Sequence, residues 1–563
     1  MQRQLINRIS FNNLRGDLFG GITTTVIALP MALAFGVASG AGPIAGLYGA
    51  VLVGFFAALF GGTPTLISEP TGPMTVVITG IIAYLIANNP ENGMAMAFTV
   101  VMMGGAFQIL FGFLGLGKFI TLMPYTVISG FMSGIGWILI ILQIPAFLGQ
   151  ENPGGGVVGV VSNMPNLLTN INVPEASLAA ITVAIIFLTP SKVSKIVPPQ
   201  LVALVVGTLM SLFLFQNVEI ARIGEIPSGL PQIVVPTFTL QDIGKMTVDA
   251  LMLGVLGSID ALLTATVADG MTNTQHNSDK ELIGQGIGNI VSGLFGGLPG
   301  AGATMGTVVN IQSGGKTPLS GLIRAGILLV VVLWAGGLTE NIPMAVLAGI
   351  ALKVGFDIID WGYLKRAHRL SIKAALIMYG VMILTVFVDL ITAVAVGIFI
   401  ANILTVKRLS DLQSERVKPI NSEDDEIFLD PEEKRLLKES GDRVLLLHLS
   451  GAMIFGASKA IAKQREVANK YEVLIIDLSD LSLLGVSSSL AIETLVKSSC
   501  DRGNQVLIVT DRKKVKNRLQ SLQIFQFDPR PKLKVNRKEA IEEAIHLVND
   551  TRLENSNGHF AKV

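Results

Sequence analysis

Fourteen apolar stretches occupy residues 17 to 406, separated by short polar or glycine- and proline-bearing connections. A bilayer's hydrocarbon core takes about 20 apolar residues of helix to cross, and a chain that buries so many such runs has few alternatives to a helical bundle in lipid. Of the 563 residues, 50% are apolar and 15% charged, with a mean hydropathy of +0.60, too greasy for a soluble enzyme. The runs are read as spans at 17–38, 44–62, 71–87, 95–115, 120–148, 176–190, 199–215, 248–268, 281–296, 302–312, 318–336, 342–358, 372–388 and 390–406. The third and tenth are short for a full crossing. The expected fold is an α-helical polytopic membrane protein.

Charge divides the chain. Residues 1–405 hold 16 Lys+Arg and 17 Asp+Glu, whereas the shorter remainder holds 26 and 24, so a soluble domain is expected after the membrane part. The boundaries read as 1–410 for the transport domain, 411–440 for a linker, 441–550 for the soluble domain and 551–563 for a flexible tail. With Arg3, Arg8 and Arg15 inside, Lys118, Lys192, Lys195, Lys280, Lys316, Lys365, Arg366 and Arg369 all fall on the same side, against Arg222 and Lys245 on the other. This bias predicts a multi-pass protein of the plasma (inner) membrane, its termini and soluble domain cytoplasmic. The signs balance in both parts, so no nucleic-acid partner is expected. The one basic cluster, around Arg512, Lys513 and Lys514, reads as a solvated helix face. The first apolar run lacks a cleavage site and reads as a span, and the single Cys500 excludes an intramolecular disulfide.

Two apolar segments are broken by glycine and proline at matching places. One is Ser68-Glu69-Pro70-Thr71-Gly72-Pro73; the other runs from Gly296 through Pro299 to Thr304. Each lies about 54 residues from the start of its half of the chain, as two seven-span repeats require. Because seven is odd, the second repeat enters the membrane inverted. The broken segments then approach from opposite faces, and their helix N-termini, with unpaired amides and partial positive charge, converge on an anion site. This is the pattern of a secondary transporter.

Asp260 stands in an otherwise apolar span, where a carboxylate costs about 2.5–3.5 kcal/mol and needs a partner. Thr264 lies one turn further along the same face, with Ser258 nearby. Carboxylate, hydroxyl and unwound backbone carbonyls together suit a hard monovalent cation such as sodium, or a proton on the acid. Glu69 has two readings, an aid to the coupling ion or a wall of the vestibule. Thr71, Thr75, Thr304 and Thr307 place hydroxyls at or after the two half-helix starts. Asp269 and the run Met271 to Asn277 read as loop and interface. His276 and His368 lack metal-ligand spacing. No nucleophile and base pair or metal set points to an enzyme, and no phosphate-binding P-loop is present.

Leu14 to Thr23, Ala28 to Ala34, Ala45 to Tyr48, Pro70 to Pro73 and Gly297 to Asn310 with Gly314 to Thr317 resemble the SulP (sulfate permease) family of anion transporters that carry a C-terminal STAS domain. The resemblance implies fourteen spans in two inverted repeats, divided into a mobile core (spans 1–4 and 8–11) and a gate (5–7 and 12–14), with elevator movement. Many members carry an Arg shortly after the second half-helix begins; here Gly306 stands there. The missing charge must come from elsewhere or the anion is held more weakly, and a sodium ion at Asp260 would supply it. This combination is similar to the sodium-dependent bicarbonate transporters of the family. It implies a cation site of Asp260, Thr264, Gly302, Ala303 and Thr304 (Asp260 and Thr264 as the side-chain ligands of sodium), and an anion site of Glu69, Thr71, Gly72, Ala303 and Thr304. Sodium is then the coupling ion, with no other cofactor, and bicarbonate or a similar small anion the substrate. The alternative within the family is a proton-coupled sulfate or dicarboxylate symporter or an anion exchanger. Channel-like and sensor roles on the same fold are rivals from other classes.

In the tail, Val444 to Leu449, Val473 to Leu478 and Gln505 to Val509 read as buried strands alternating with helices, which gives a small α/β domain and resembles STAS. Gly485-Val486 replaces the Asp-Ser found in related domains, so regulation by phosphorylation there is not expected. The family implies a homodimer through this domain.

Overall fold

A computed structural model describes residues 6–120, 124–190, 193, 197–215, 218–224, 231–334, 340–388, 390–421 and 429–558. Lys192, Lys195, the end of the eleventh expected span at 335–336, part of the expected linker (422–428) and the last five residues lie outside them.

Each of the fourteen apolar runs contains a helix of nine residues or more: α1 (Leu14–Ala38), α2 (Pro43–Phe60), α3 (Gly72–Asn88), α4 (Gly93–Phe113), α5 (Tyr125–Phe147), α6 (Val173–Leu188), α7 (Pro199–Phe213), α8 (Ile243–Thr272), α9 (Ser278–Leu294), α10 (Thr304–Gln312), α11 (Pro318–Trp334), α12 (Met344–Ile358), α13 (Ile372–Phe387) and α14 (Leu390–Ser414). Among the described residues, six are long and apolar enough to cross a membrane on length and composition: α1, α2, α4, α5, α8 and α14. Among the shorter helices, α3 and α10 begin at the broken segments, and α9 falls short on hydropathy for a chemical reason. Its Glu281, Gln285, Asn289 and Ser292 follow one another at helical spacing and are all buried, so its polar stripe faces inward. Gln285 Nε2 donates to Ser68 Oγ at 2.6 Å, and Asn289 Nδ2 donates to Gln108 Oε1 at 2.8 Å and to the Gly300 carbonyl at 2.9 Å. A polar helix is stable there because its partners are fixed, and it holds both broken segments.

Packing sorts the helices into two groups. The first joins α1, α2, α4, α8, α9 and α11, with α3 on α4 and α10 on α1 and α8; the second joins α5, α6, α7, α12 and α13. α14 packs with the second group, where Gly397 abuts Val381 and Val127. In the first group backbones touch directly. A Cβ on Gly105 would lie 2.5 Å from the Gly286 carbonyl, and one on Gly286 would lie 2.5 Å from the Gly105 carbonyl, so α4 and α9 approach only because both are glycine.

The chain divides into two compact units at Phe399/Ile400, inside α14. The second holds a five-stranded sheet in the order β3 (Val417–Ile420), β4 (Val444–Leu449), β6 (Val473–Asp477), β8 (Gln505–Val509) and β9 (Lys532–Lys534), with β3 antiparallel and the rest parallel. A separate short pair joins β5 (Gly451–Met453) to β7 (Leu481–Leu484). Strands β4 and β6 are buried along their whole length because helices cover both faces: α16 (Phe455–Ala468), α17 (Val486–Cys500) and α18 (Lys513–Ser521) on one, α15 (Pro431–Glu439) and α19 (Arg537–Gly558) on the other. The three strands read from the sequence are β4, β6 and β8. The stretch expected as a linker, 411–440, holds strand β3 and helix α15, the latter begun by an Asp430 and Glu433 capping box. The expected tail at 551 likewise starts inside α19, whose backbone stays helical to Gly558.

Candidate functional site

Where the two broken segments meet they form a small sheet. Strand β1 (Ser68–Glu69) pairs antiparallel with β2 (Ala301–Gly302), Ser68 opposite Gly302 and Glu69 opposite Ala301. Ala303 N donates to the Ile67 carbonyl at 2.8 Å, and Ile67 N donates to Thr307 Oγ1 at 3.0 Å. Directly after these strands the chain turns into α3 and α10. Their N-caps, Thr71 and Ala303, have extended backbones and make no side-chain cap, so the first-turn amides remain open to a ligand. Thr71 is not a cap because its hydroxyl is used elsewhere.

Thr71 Oγ1 donates to Asp260 Oδ2 at 2.7 Å, which ties the first half-helix to the buried carboxylate in the middle of α8. One turn along α8, Thr264 Oγ1 donates to the Gly302 carbonyl at 2.8 Å and shares a 2.8 Å hydrogen bond with Thr304 Oγ1. Gly302 is what allows this approach, since a Cβ there would sit 3.1 Å from both Ala261 Cα and Thr264 Cβ. Oxygens of Thr264, Gly302 and Thr304 thereby meet at the joint between α8, β2 and α10, one helical turn from the Asp260 carboxylate. Such a set, one carboxylate with neutral oxygens, matches a hard monovalent cation. Ala303 adds its place at the turn.

A cavity of about 500 Å³ opens against this joint. Glu69, Thr71, Gly72, Asp260, Gly302, Ala303 and Thr304 line it from the first helix group, and Met132, Gln200, Val354, Asp357 and Ile358 line it from the second. Every residue expected in the cation or anion site is therefore on its wall, except Thr264, which stands behind Gly302 and Thr304. Thr75 and Thr307 do not reach the cavity; Thr307 holds Ile67 instead. Asp269 and His276, expected as loop residues, bond each other at 2.7 Å at the end of α8.

One residue escaped the sequence reading. Arg324, at the middle of α11, is fully buried, forms an ion pair with Glu69, and donates through Nη1 to the Ser68 carbonyl at 3.1 Å. Glu69 thus presents a carboxylate to the cavity with a guanidinium at its back. An ionised carboxylate only accepts hydrogen bonds, so it contributes charge and not a donor to any anion there. The Gly306 position, where an Arg was expected in relatives, lies beside this pair: a Cβ on Gly306 would lie 3.4 Å from Glu69 Oε1. An arginine in the middle of an apolar span was the available signal.

The family model described as "Sulfate permease family" matches residues 14–381, and "STAS domain" matches 435–540. Two relatives, each named Bicarbonate transporter BicA, are 59% identical over 96% of both chains (Picosynechococcus) and 60% identical over 98% of both (Synechocystis). A solved structure, the transmembrane domain of a cyanobacterium bicarbonate transporter BicA, superposes with a TM-score of 0.66 at 66% identity, covering 69% of this chain and 100% of that one. With a matching family model over residues 14–381, two broken half-helices meeting at a buried carboxylate, and a STAS domain later in the chain, the protein belongs to the sulfate permease family.

Proposed function

We propose that this protein is a sodium-coupled bicarbonate symporter of the plasma (inner) membrane, with both termini and the STAS domain cytoplasmic and a homodimer formed through that domain. The observation that carries the reading is the joint at β2: the oxygens of Thr264, Gly302 and Thr304 meet there, Asp260 lines the same cavity as Gly302 and Thr304, and the same turn brings the start of α10 to that cavity. Cation and anion then share Ala303 and Thr304. With Asp260 ionised the cavity repels an anion until sodium arrives, so the two bind together. The names of the relatives at 59% and 60% identity support bicarbonate as the anion. Because the cavity lies between the two helix groups, sliding the first past the second would carry the loaded site across, an elevator movement.

The test is uptake of labelled bicarbonate into proteoliposomes with and without an inward sodium gradient, with labelled sulfate in parallel. Sodium-driven bicarbonate uptake supports the reading. Sulfate uptake that follows pH and ignores sodium would replace it with a proton-coupled symporter of the same family.

A further inference from the structure

We infer that the Glu69–Arg324 pair is a charge filter that makes the cavity accept singly charged anions and reject doubly charged ones. The inference rests on the reading of the cavity as a sodium-dependent anion site. Among the described residues, three ionisable groups line the cavity: Glu69, Asp260 and Asp357. Asp357 is paired with Lys353 at 2.5 Å, and Glu69 with Arg324, so each of these two carboxylates is balanced by a partner. Among the described residues Asp260 is bonded by the Thr71 hydroxyl and by no cation, and a bound sodium would balance it. With sodium in place the side chains sum to no net charge. What remains for the anion is the partial positive charge of two helix N-termini, about half a unit from each. That total suits one negative charge and leaves a second uncompensated.

The packing of Arg324 shows that its charge is committed to this balance and not to the ligand. It has no exposed surface and does not line the cavity. It passes beside α2, where a Cβ on Gly54 would come within 2.8 Å of Nη1, and ends on Glu69 and on the Ser68 carbonyl. Its guanidinium reaches the anion only through the carboxylate it neutralises. Glu69→Gln keeps an oxygen acceptor for Arg324 but uncovers its charge. The cavity then gains one positive unit, which acts twice as strongly on a dianion as on a monoanion. At a separation of about 7 Å and an effective dielectric constant of about 20, the sulfate-to-bicarbonate preference should rise by roughly tenfold or more.

The experiment measures competition of sulfate against labelled bicarbonate uptake in proteoliposomes at saturating sodium, with thermal melting of each purified variant. In the wild type sulfate should compete poorly. Glu69→Gln should let sulfate compete about tenfold better or more, and Gly306→Arg, which adds a cation beside Glu69 without cutting the pair, should do the same. Glu69→Gln combined with Arg324→Gln restores the balance and should return sulfate competition to the wild-type level, a rescue that a purely structural pair would not give. If Glu69→Gln melts too low to assay, Gly306→Arg carries the test. Unchanged sulfate competition in a folded charge-adding variant, or a double variant that keeps the altered preference, overturns the filter while leaving the proposed function standing. A wild type that moves no bicarbonate removes both.

Discussion

Replacing Asp260 by Asn separates the two jobs assigned to its carboxylate. The side chain keeps its shape and an oxygen that can accept from the Thr71 hydroxyl, now at 2.7 Å from Oδ2, so the fold should lose no more than about 1 kcal/mol. The unit negative charge is lost. For a cation in direct contact, a charge about 4 Å away at an effective dielectric constant of about 20 contributes about 4 kcal/mol, or roughly a thousandfold in sodium affinity. The same carboxylate repels an anion at about 6 Å by about 3 kcal/mol, and that repulsion also disappears. Asp260→Asn should therefore abolish sodium-driven accumulation of bicarbonate while leaving a weak, sodium-independent exchange of the anion. Asp260→Ala should abolish accumulation too, with the Thr71 hydroxyl left unpaired. The assay is initial uptake across a range of sodium concentrations, paired with counterflow in sodium-free medium. A half-saturating sodium concentration within about threefold of wild type, under about 0.7 kcal/mol, would refute the assignment of Asp260 as the cation ligand.

Thr264→Val keeps the volume and deletes both hydrogen bonds, to the buried Gly302 carbonyl and the exposed Thr304 hydroxyl, and the carbonyl left without this partner costs about 1–3 kcal/mol; the half-saturating sodium concentration should rise about tenfold or more, whereas Thr264→Ser should stay near wild type in the same uptake assay. Gly46→Ala forces a methyl to 1.8 Å from the Ala32 carbonyl and must part α1 from α2, which should lower the melting temperature by several degrees through about 1–3 kcal/mol of overpacking. In the STAS unit, burial works to raise the pKa of Asp477, but hydrogen bonds from His448 and Ser479 and the Arg537 guanidinium outweigh it and bring it down to about 2. A carboxylate depressed on folding stabilises above its unfolded pKa of about 3.9 and loses that contribution as pH falls towards 2, here about 2 kcal/mol. Amide exchange across β4, β6 and β8 in the intact protein should accordingly speed up between about pH 4 and pH 2, and Asp477→Asn should remove that acid dependence while exchanging faster at neutral pH.

What could be read from the chain followed from how costly each feature is in its surroundings. Apolar runs have few uses other than spanning or packing, so the helices of the membrane part fell where the runs are. Asp260 was legible for the same reason, since a carboxylate among Leu253, Leu256, Ile259 and Leu262 demands a partner. The glycines and prolines around Ser68 and Pro299 predicted breaks, but not that the breaks would pair as β1 and β2, because that pairing joins residues more than two hundred positions apart. Strand β3 was hidden by its composition: Val-Lys-Pro-Ile is short and half polar, and only its antiparallel seat beside β4 makes it a strand. Arg324 was missed because the search for a cation followed α10, where Gly306 lies, while the charge comes from α11 on a side chain long enough to cross behind β1.

The geometry at Thr304 also bears on how coupling is transmitted. Its hydroxyl meets Thr264 on the side where the cation oxygens gather, and its backbone begins the helix whose amides face the cavity. In the proposed reading Thr304, like Ala303, belongs to both sites, so linkage needs no chain of intervening side chains and no second conformation. A cation at the hydroxyl and an anion at the amides sit within a few ångströms, and their attraction is direct electrostatics. Coupling of this kind should survive substitutions elsewhere in the bundle that leave Asp260, Thr264 and Thr304 in place, even where those substitutions slow the movement between the two helix groups. Transport rate and sodium dependence would then vary independently, and a set of mutants in α5 or α12 whose sodium dependence fell in step with their rates would count against a coupling confined to this joint.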